Sequence, residues 1–303
     1  MVIKKKKILI VGGTGFIGFH LGAFLKKKNF EITMVSEHRP KKKRFIKSVK
    51  YIQFDISKIK NFKKIKNFEF DYIVNLGGYV NHLNKKKTIN SHYVGAKNLS
   101  NFFLNKKIKS FIQIGSGGEY GNLKSPHKES AVCRPSKKSS YSYSKYLATN
   151  FLISLYKKFN FPVTVLRLYQ AYGPSQDINR FLPILITNCI KNKKFKTSHG
   201  RQFRDFIHIN DLINIIYKCL NKNKARGKII NVGFGKPVNI KETILKVVKI
   251  CNGGKPQFGK ITLRKDENMA TYPNIRNLIK ILSYRPVINF EKGIKLTIKS
   301  YQN

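Results

Sequence analysis

Lys7-Ile8-Leu9-Ile10-Val11-Gly12-Gly13-Thr14-Gly15-Phe16-Ile17-Gly18 is the stretch from which the fold of this chain is read. A short apolar run leads into G-x-x-G-x-x-G at Gly12, Gly15 and Gly18. Residues 16–28 then carry apolar side chains at three-to-four spacing, the mark of a helix. A glycine turn between strand and helix lets the backbone approach a pyrophosphate. The helix N-terminus, at Phe16 and Ile17, supplies amides and a dipole as counter-charge. A Cβ at these glycines would block the turn or the approach. The alternative, a tight turn with glycine packing only, is disfavoured by the order strand, motif, helix.

Outward from this stretch the same rhythm repeats. Candidate strands are 7–11, 32–35, 51–54, 72–76, 110–114 and 163–168, and helical spacing marks 16–28, 89–105 and 141–159. Repeated strand-helix-strand order predicts an α/β fold whose parallel sheet is covered on both faces. After Gly173-Pro174 the pattern changes. A helix is expected over 178–190, a strand near 203–209, a helix over 211–220 and a late strand over 229–232, followed by a turn-rich tail from Gly253. The division expected is 1–173 for the dinucleotide-binding domain and 174–303 for a smaller lobe, with about 203–235 returning to the first.

The 303 residues carry 61 Lys+Arg against 14 Asp+Glu, a formal net charge of +47. Nucleic-acid readers favour arginine concentrated on one face. Here nearly all the basic residues are lysine, scattered in runs such as Lys4–Lys7 and Lys41–Lys43, alongside abundant Asn, Ile and Phe. That pattern reads as a compositionally drifted, solvated surface with no specific nucleic-acid partner. The cysteines lie far apart, at 133, 189, 219 and 251, so neither a metal site nor a disulfide framework is expected. The glycines at 12–22 also argue against a secretory signal or membrane helix at the start, and a cytoplasmic chain is expected.

Cofactor choice is read at the end of the second strand, where an acid commonly takes the ribose hydroxyls. Ser36 stands there, with Glu37 beside it and Arg39 beyond. A missing acid with a nearby arginine suits the 2′-phosphate of NADP, whereas Glu37 suits NAD. Asp55 follows the third strand and is placed to accept from the adenine amino group, or else to cap the turn ahead of Ile59.

Tyr141 and Lys145 are four apart on a predicted helix and project from one face. An ammonium near a phenol favours the phenolate, as a general base needs. Ser116, beyond the strand at 110–114, is placed to hold a substrate oxygen. With Gly115-Ser116-Gly117-Gly118-Glu119-Tyr120-Gly121, Leu166-Arg167-Leu168-Tyr169, Tyr172-Gly173-Pro174, Arg204-Asp205-Phe206-Ile207-His208 and Asn231-Val232-Gly233, the chain resembles the extended short-chain dehydrogenase/reductase family. Those enzymes are epimerases, dehydratases and reductases of nucleotide-linked sugars. The resemblance implies a Rossmann domain with a C-terminal substrate lobe, and Ser116, Tyr141 and Lys145 as the catalytic triad, with Lys145 also gripping the nicotinamide ribose. It implies Arg204 on the substrate diphosphate, Arg264 as a second phosphate or ribose contact, and Gln170 and Asn179 on the substrate. For Arg204 the structural alternative is an ion pair with Asp205. It further implies a homodimer packed through two helices per subunit, one being 141–159.

Departures from the family pattern are informative. His92 stands where Asn is usual before the Gly95-Ala96 turn, and Gly77-Gly78 replaces a usual alanine pair. Dehydratases place Asp-Glu directly after the triad Ser/Thr, but here the residues are Gly117-Gly118, which transfer no protons. Glu119 is one place off and, by strand alternation, faces elsewhere. The expectation is hydride transfer at C4 of a nucleotide-activated hexose. A 4-keto reductase using NADPH is favoured slightly over a 4-epimerase retaining NAD. A non-catalytic dinucleotide sensor and a polyanion-binding protein are the alternatives of another class.

Overall fold

Alternation of strands and helices builds the first half of the chain. In the computed structural model, which describes residues 5–79, 83–263 and 267–302, β1 (Lys7–Val11) turns into α1 (Phe16–Lys27), followed by β2 (Glu31–Ser36), β3 (Lys50–Gln53) and β4 (Tyr72–Asn75). Then come α2 (Lys85–Ile89), α3 (Gly95–Phe103), β5 (Ser110–Ser116), α4 (Ser140–Phe159) and β6 (Val163–Leu168). After β7 (Gln170–Tyr172) the elements are α5 (Phe181–Ile190), β8 (Lys194–Lys196), β9 (Phe203–Arg204), β10 (Phe206–His208) and α6 (Ile209–Leu220). The last are β11 (Ile229–Val232), β12 (Val238–Asn239), α7 (Ile240–Cys251), β13 (Lys255–Gln257), β14 (Ala270–Thr271), α8 (Arg276–Leu282) and α9 (Phe290–Gln302).

The main sheet has the order β11-β6-β5-β4-β1-β2-β3, and every neighbouring pair is parallel. Parallel strands need crossovers, which place helices on both faces. Leu21 and Leu25 of α1, Ile213 and Ile216 of α6 and Leu278 of α8 pack on one face. Leu99 and Phe103 of α3 and Leu152 and Leu155 of α4 pack on the other. The result is a Rossmann fold, with the strand order reversing between β1 and β4, where such sheets open a crevice for a ligand. A further core joins Leu182 and Ile186 of α5, Ile244 and Val247 of α7 and Ile294 and Ile298 of α9.

Several elements differ from their sequence pattern. The helix expected over 89–105 is α2, a π-helical turn at Asn90–Val94 and then α3. Gly95-Ala96 therefore opens a helix and is not a turn. β5 runs on to Ser116. The expected strand at 203–209 is split into β9 and β10, because Asp205 between them turns its buried carboxylate to the loop at 233–235. The helix expected from 178 begins at Phe181, and the turn-rich tail contains α8 and the amphipathic α9.

His208 caps α6 by accepting at Nδ1 from the Asn210 N–H and is 1% exposed. Burial pushes its imidazole down from 6.5 to about 4. The neutral ring is the folded form, so its stabilisation is complete above pH 6.5 and is lost as pH falls towards 4. This loss is on the order of 3 kcal/mol. Urea unfolding at pH 7.5 and 4 checks it, and His208→Asn is expected to flatten the dependence. An equal loss in that variant would assign the pH effect to other groups.

Candidate active site

β5 ends at Ser116 because the following residues fold back. Gly117–Tyr120 forms a 3-10 turn in which the Gly118 N–H donates to Ser116 Oγ at 3.1 Å. Glu119 returns the favour, its Oε1 accepting the Ser116 N–H at 2.8 Å. This is a capping box, which satisfies donors at both ends of the turn. Glu119 thus lies in a turn, not on a strand, and faces inward to the Arg167 guanidinium at 2.8 Å.

Helix α4 presents Tyr141 in its first turn, capped by the Ser139 hydroxyl. The Tyr141 and Ser116 hydroxyls share a hydrogen bond. Lys145, one turn further along α4, is 5% exposed and donates from Nζ to the Ile114 carbonyl at 2.7 Å. The spacing argument predicts that this ammonium lowers the phenol. In the structure burial dominates and pushes Tyr141 up, while the Ser116 hydrogen bond and Arg180 act the other way. Burial likewise pushes Lys145 down to about 8. A charge whose donor is committed to a main-chain carbonyl is a weak partner for the phenol, which accounts for the difference.

The two departures at 78 and 92 form one arrangement. His92, in the π-turn, stands edge-on to Tyr141 with ring centroids 5.2 Å apart. A Cβ at Gly78 would lie 2.0 Å from its ring, so the glycine is what admits the histidine. At Gly117 a Cβ would meet the buried Tyr169 ring at 2.8 Å. At Gly118 it would meet the Ser142 hydroxyl at 2.8 Å. The site therefore has no acids at 117 and 118, and no ready space for a side chain at 117.

The glycine turn fits a dinucleotide. Gly12, at φ +72°, lies so close to Leu76 that a Cβ would stand 2.9 Å from its carbonyl carbon. Gly18 packs on Gly12 and Gly13 in the same way. At Gly15 a Cβ would meet only the Gly12 oxygen, at 3.2 Å, and would otherwise project into the cradle. No side chain caps α1, which leaves the first-turn amides, including those of Phe16 and Ile17, for an anion. Ser36 accepts from the Thr14 N–H at 3.3 Å, inside the turn. Arg39 is exposed and lines a cavity of about 410 Å³ with Thr14, His38 and Gln53. Asp55 spends its Oδ1 on Ser57, at 2.9 Å to the amide and 2.7 Å to the hydroxyl, and its Oδ2 faces Lys58. These contacts fit the turn-capping reading of Asp55.

On the substrate side, Gln170 and Asn179 are exposed, and among the described residues their side chains make no hydrogen bond. Arg204 is ion-paired with Glu267, not with Asp205. Asp205 instead accepts the Phe234 and Gly235 N–H groups, each at 2.6 Å, and Gly233 gives it room. Arg264 lies outside the described residues. The pairs Glu119–Arg167 and Arg204–Glu267, and Arg180 near the phenol, escaped the sequence reading, because each partner comes from a distant segment. Among the described residues, no group of His, Cys, Asp and Glu could hold a metal ion, and no helix is long and apolar enough to cross a membrane.

Comparison with known proteins gives the same architecture and a family. The model of the NAD dependent epimerase/dehydratase family matches residues 8–233. A dTDP-D-glucose 4,6-dehydratase of Dictyostelium discoideum is 27% identical over 81% of this chain, which spans 62% of that protein's length. A UDP-glucuronate 4-epimerase of Thermodesulfobacterium geofontis is 24% identical over 96% of this chain and 94% of its own. The crystal structure of UDP-glucose 4-epimerase from Thermotoga maritima with UDP-glucose superposes with a TM-score of 0.91 at 20% identity, covering 98% of each chain.

Proposed function

The chain belongs to the NAD dependent epimerase/dehydratase family, and on that premise we propose that it exchanges hydride at C4 of a nucleotide-linked hexose. The observation that carries this reading is the Ser116–Tyr141 hydrogen bond beside buried Lys145, with glycine at both following positions. A bound nicotinamide dinucleotide supplies the acceptor or donor of the hydride. Tyr141 exchanges the proton of the C4 oxygen, and Ser116 orients that oxygen. The Ser116 Oγ already accepts from Gly118, so its own proton is available to the phenol. Lys145 keeps a buried positive charge one turn away and is assigned to the nicotinamide ribose. Arg204 and Arg264 are assigned to the diphosphate, for which charge-assisted forks are suited. Gln170 and Asn179 are assigned to the sugar. Dehydration needs an acid and a base at 117 and 118, where this chain has two glycines, and a side chain at 117 would crowd the buried Tyr169 ring.

Two directions of the exchange are supported by different observations. Ser36 in place of an acid, with Arg39 on the adjoining cavity, favours a 4-keto reductase drawing on NADPH. The 4-epimerases among the relatives favour a form that keeps NAD and returns the hydride to the other face. Mass spectrometry of the dinucleotide released from purified protein, then titration with NADH and NADPH, separates them. Freely exchanging NADPH supports the reductase, and retained NAD the epimerase. Binding of neither would sink both. If NADPH is the ligand, Arg39→Ala is expected to weaken it about tenfold by removing a charged hydrogen bond, leaving NADH unchanged. Equal weakening of both would overturn the NADPH reading.

A further inference from the structure

We infer that Glu119 is a positioning residue of the Ser116–Tyr141–Lys145 site, fixing the end of β5 and placing its carboxylate behind the phenol. The inference rests on the C4-exchange reading for what the phenol does, and on geometry alone for where Glu119 acts.

Glu119 is 0% exposed and Arg167 is 3% exposed. One carboxylate oxygen accepts the Ser116 N–H and the other the Arg167 Nε, each at 2.8 Å. The guanidinium lies over the Tyr120 ring, 4.6 Å from its centroid. Tyr120 in turn donates to Asn231 at 2.9 Å. The motif's first glycine serves the acid as well, since a Cβ at Gly115 would lie 2.5 Å from Glu119 Oε1. A buried ion pair adds little net stability over an apolar pair of similar volume. What this pair does add is a rigid attachment for Ser116, whose hydroxyl must reach Tyr141, and a charge with a fixed place.

Among the described residues, Tyr141 meets Ser116 from β5 and His92 from the π-turn, with Glu119 from the 3-10 turn and Arg180 from the segment before α5 close enough to act on its charge, while Lys145 lies one turn along α4. Among them Glu119 is the acid, and it acts to keep the proton on both the phenol and the Lys145 ammonium. Arg167, on the far side of the carboxylate, holds it in place.

The test reads the Tyr141 titration directly, by NMR of ring-labelled tyrosine in protein supplied with NAD, with Tyr141→Phe used to assign the signal. Glu119→Gln keeps the hydrogen-bonding shape and removes the charge. Its Tyr141 midpoint is expected about one pH unit lower. Glu119→Gln/Arg167→Met removes both charges and, because Glu119 is the nearer, is expected to shift in the same direction. An unchanged midpoint in a folded variant overturns the proposal. So does failure of both variants to fold, which would make the pair purely structural. The reading needs no sugar substrate, so it stands or falls separately from the C4-exchange assignment. Where a converted nucleotide sugar is in hand, the acid limb of the turnover profile is expected to move down with KM unchanged.

Discussion

Tyr141→Phe is expected to lower turnover about a thousandfold, the contribution of a positioned acid–base group, while dinucleotide binding is retained. Phenylalanine keeps the ring that stands edge-on to His92 and loses only the hydroxyl that meets Ser116. The measurement is hydride exchange on a panel of UDP- and CDP-linked hexoses and their 4-keto forms. A loss confined to the chemical step supports the proton role. Unchanged turnover would remove Tyr141 from the chemistry and return the chain to the class of dinucleotide sensors.

Arg167→Met is expected to cost on the order of 3–5 kcal/mol of folding stability, because the Glu119 carboxylate would remain buried without its counter-charge. Its second acceptor interaction, with the Ser116 N–H, does not replace a guanidinium. The double variant Glu119→Gln/Arg167→Met is expected to recover most of the loss. Denaturant unfolding of the two single variants and the double forms a cycle, and additive effects would mean that the pair is not coupled. The cycle also separates stability from position. The single arginine variant reports the burial of charge, whereas the Tyr141 titration reports where that charge acts.

Local signals carried much of this molecule. Apolar runs ended where turn residues began, so β1 and β6 match their sequence patterns, and the glycine loop reads directly as a strand-to-helix turn. Ser116, Tyr141 and Lys145 were legible because a strand end and an i,i+4 pair are local facts. The π-turn at Asn90–Val94 left no mark, since its extra residue per turn sits within helical spacing. Helix α7 did have a local signal, Asn239 accepting from Lys241 and Glu242 at its start, but the short strands around it obscured the pattern. The pairings of Arg167 with Glu119 and of Arg204 with Glu267 depend on segments 48 and 63 residues apart. The register of a fold, not the spacing of a motif, chooses such partners. Asp55 stands at the expected address after β3, and its Oδ1 is engaged by its own neighbour Ser57.

Arg44 ties the segment after β2 to the loop that follows Gly173. It is 4% exposed and donates to the Ser175 carbonyl at 3.2 and 2.6 Å and to Asp177 at 2.9 Å, while His20 holds the Pro174 carbonyl at 2.8 Å. Each hydrogen bond to a charged group is worth about 1.5–3 kcal/mol, so this edge of the crevice behaves as a welded seam. The arm bearing Asn179 and Arg180 is thereby carried by the wall that flanks the glycine turn. On this side of the crevice the glycine-turn wall and the chain after Gly173 therefore meet a ligand as one fixed piece.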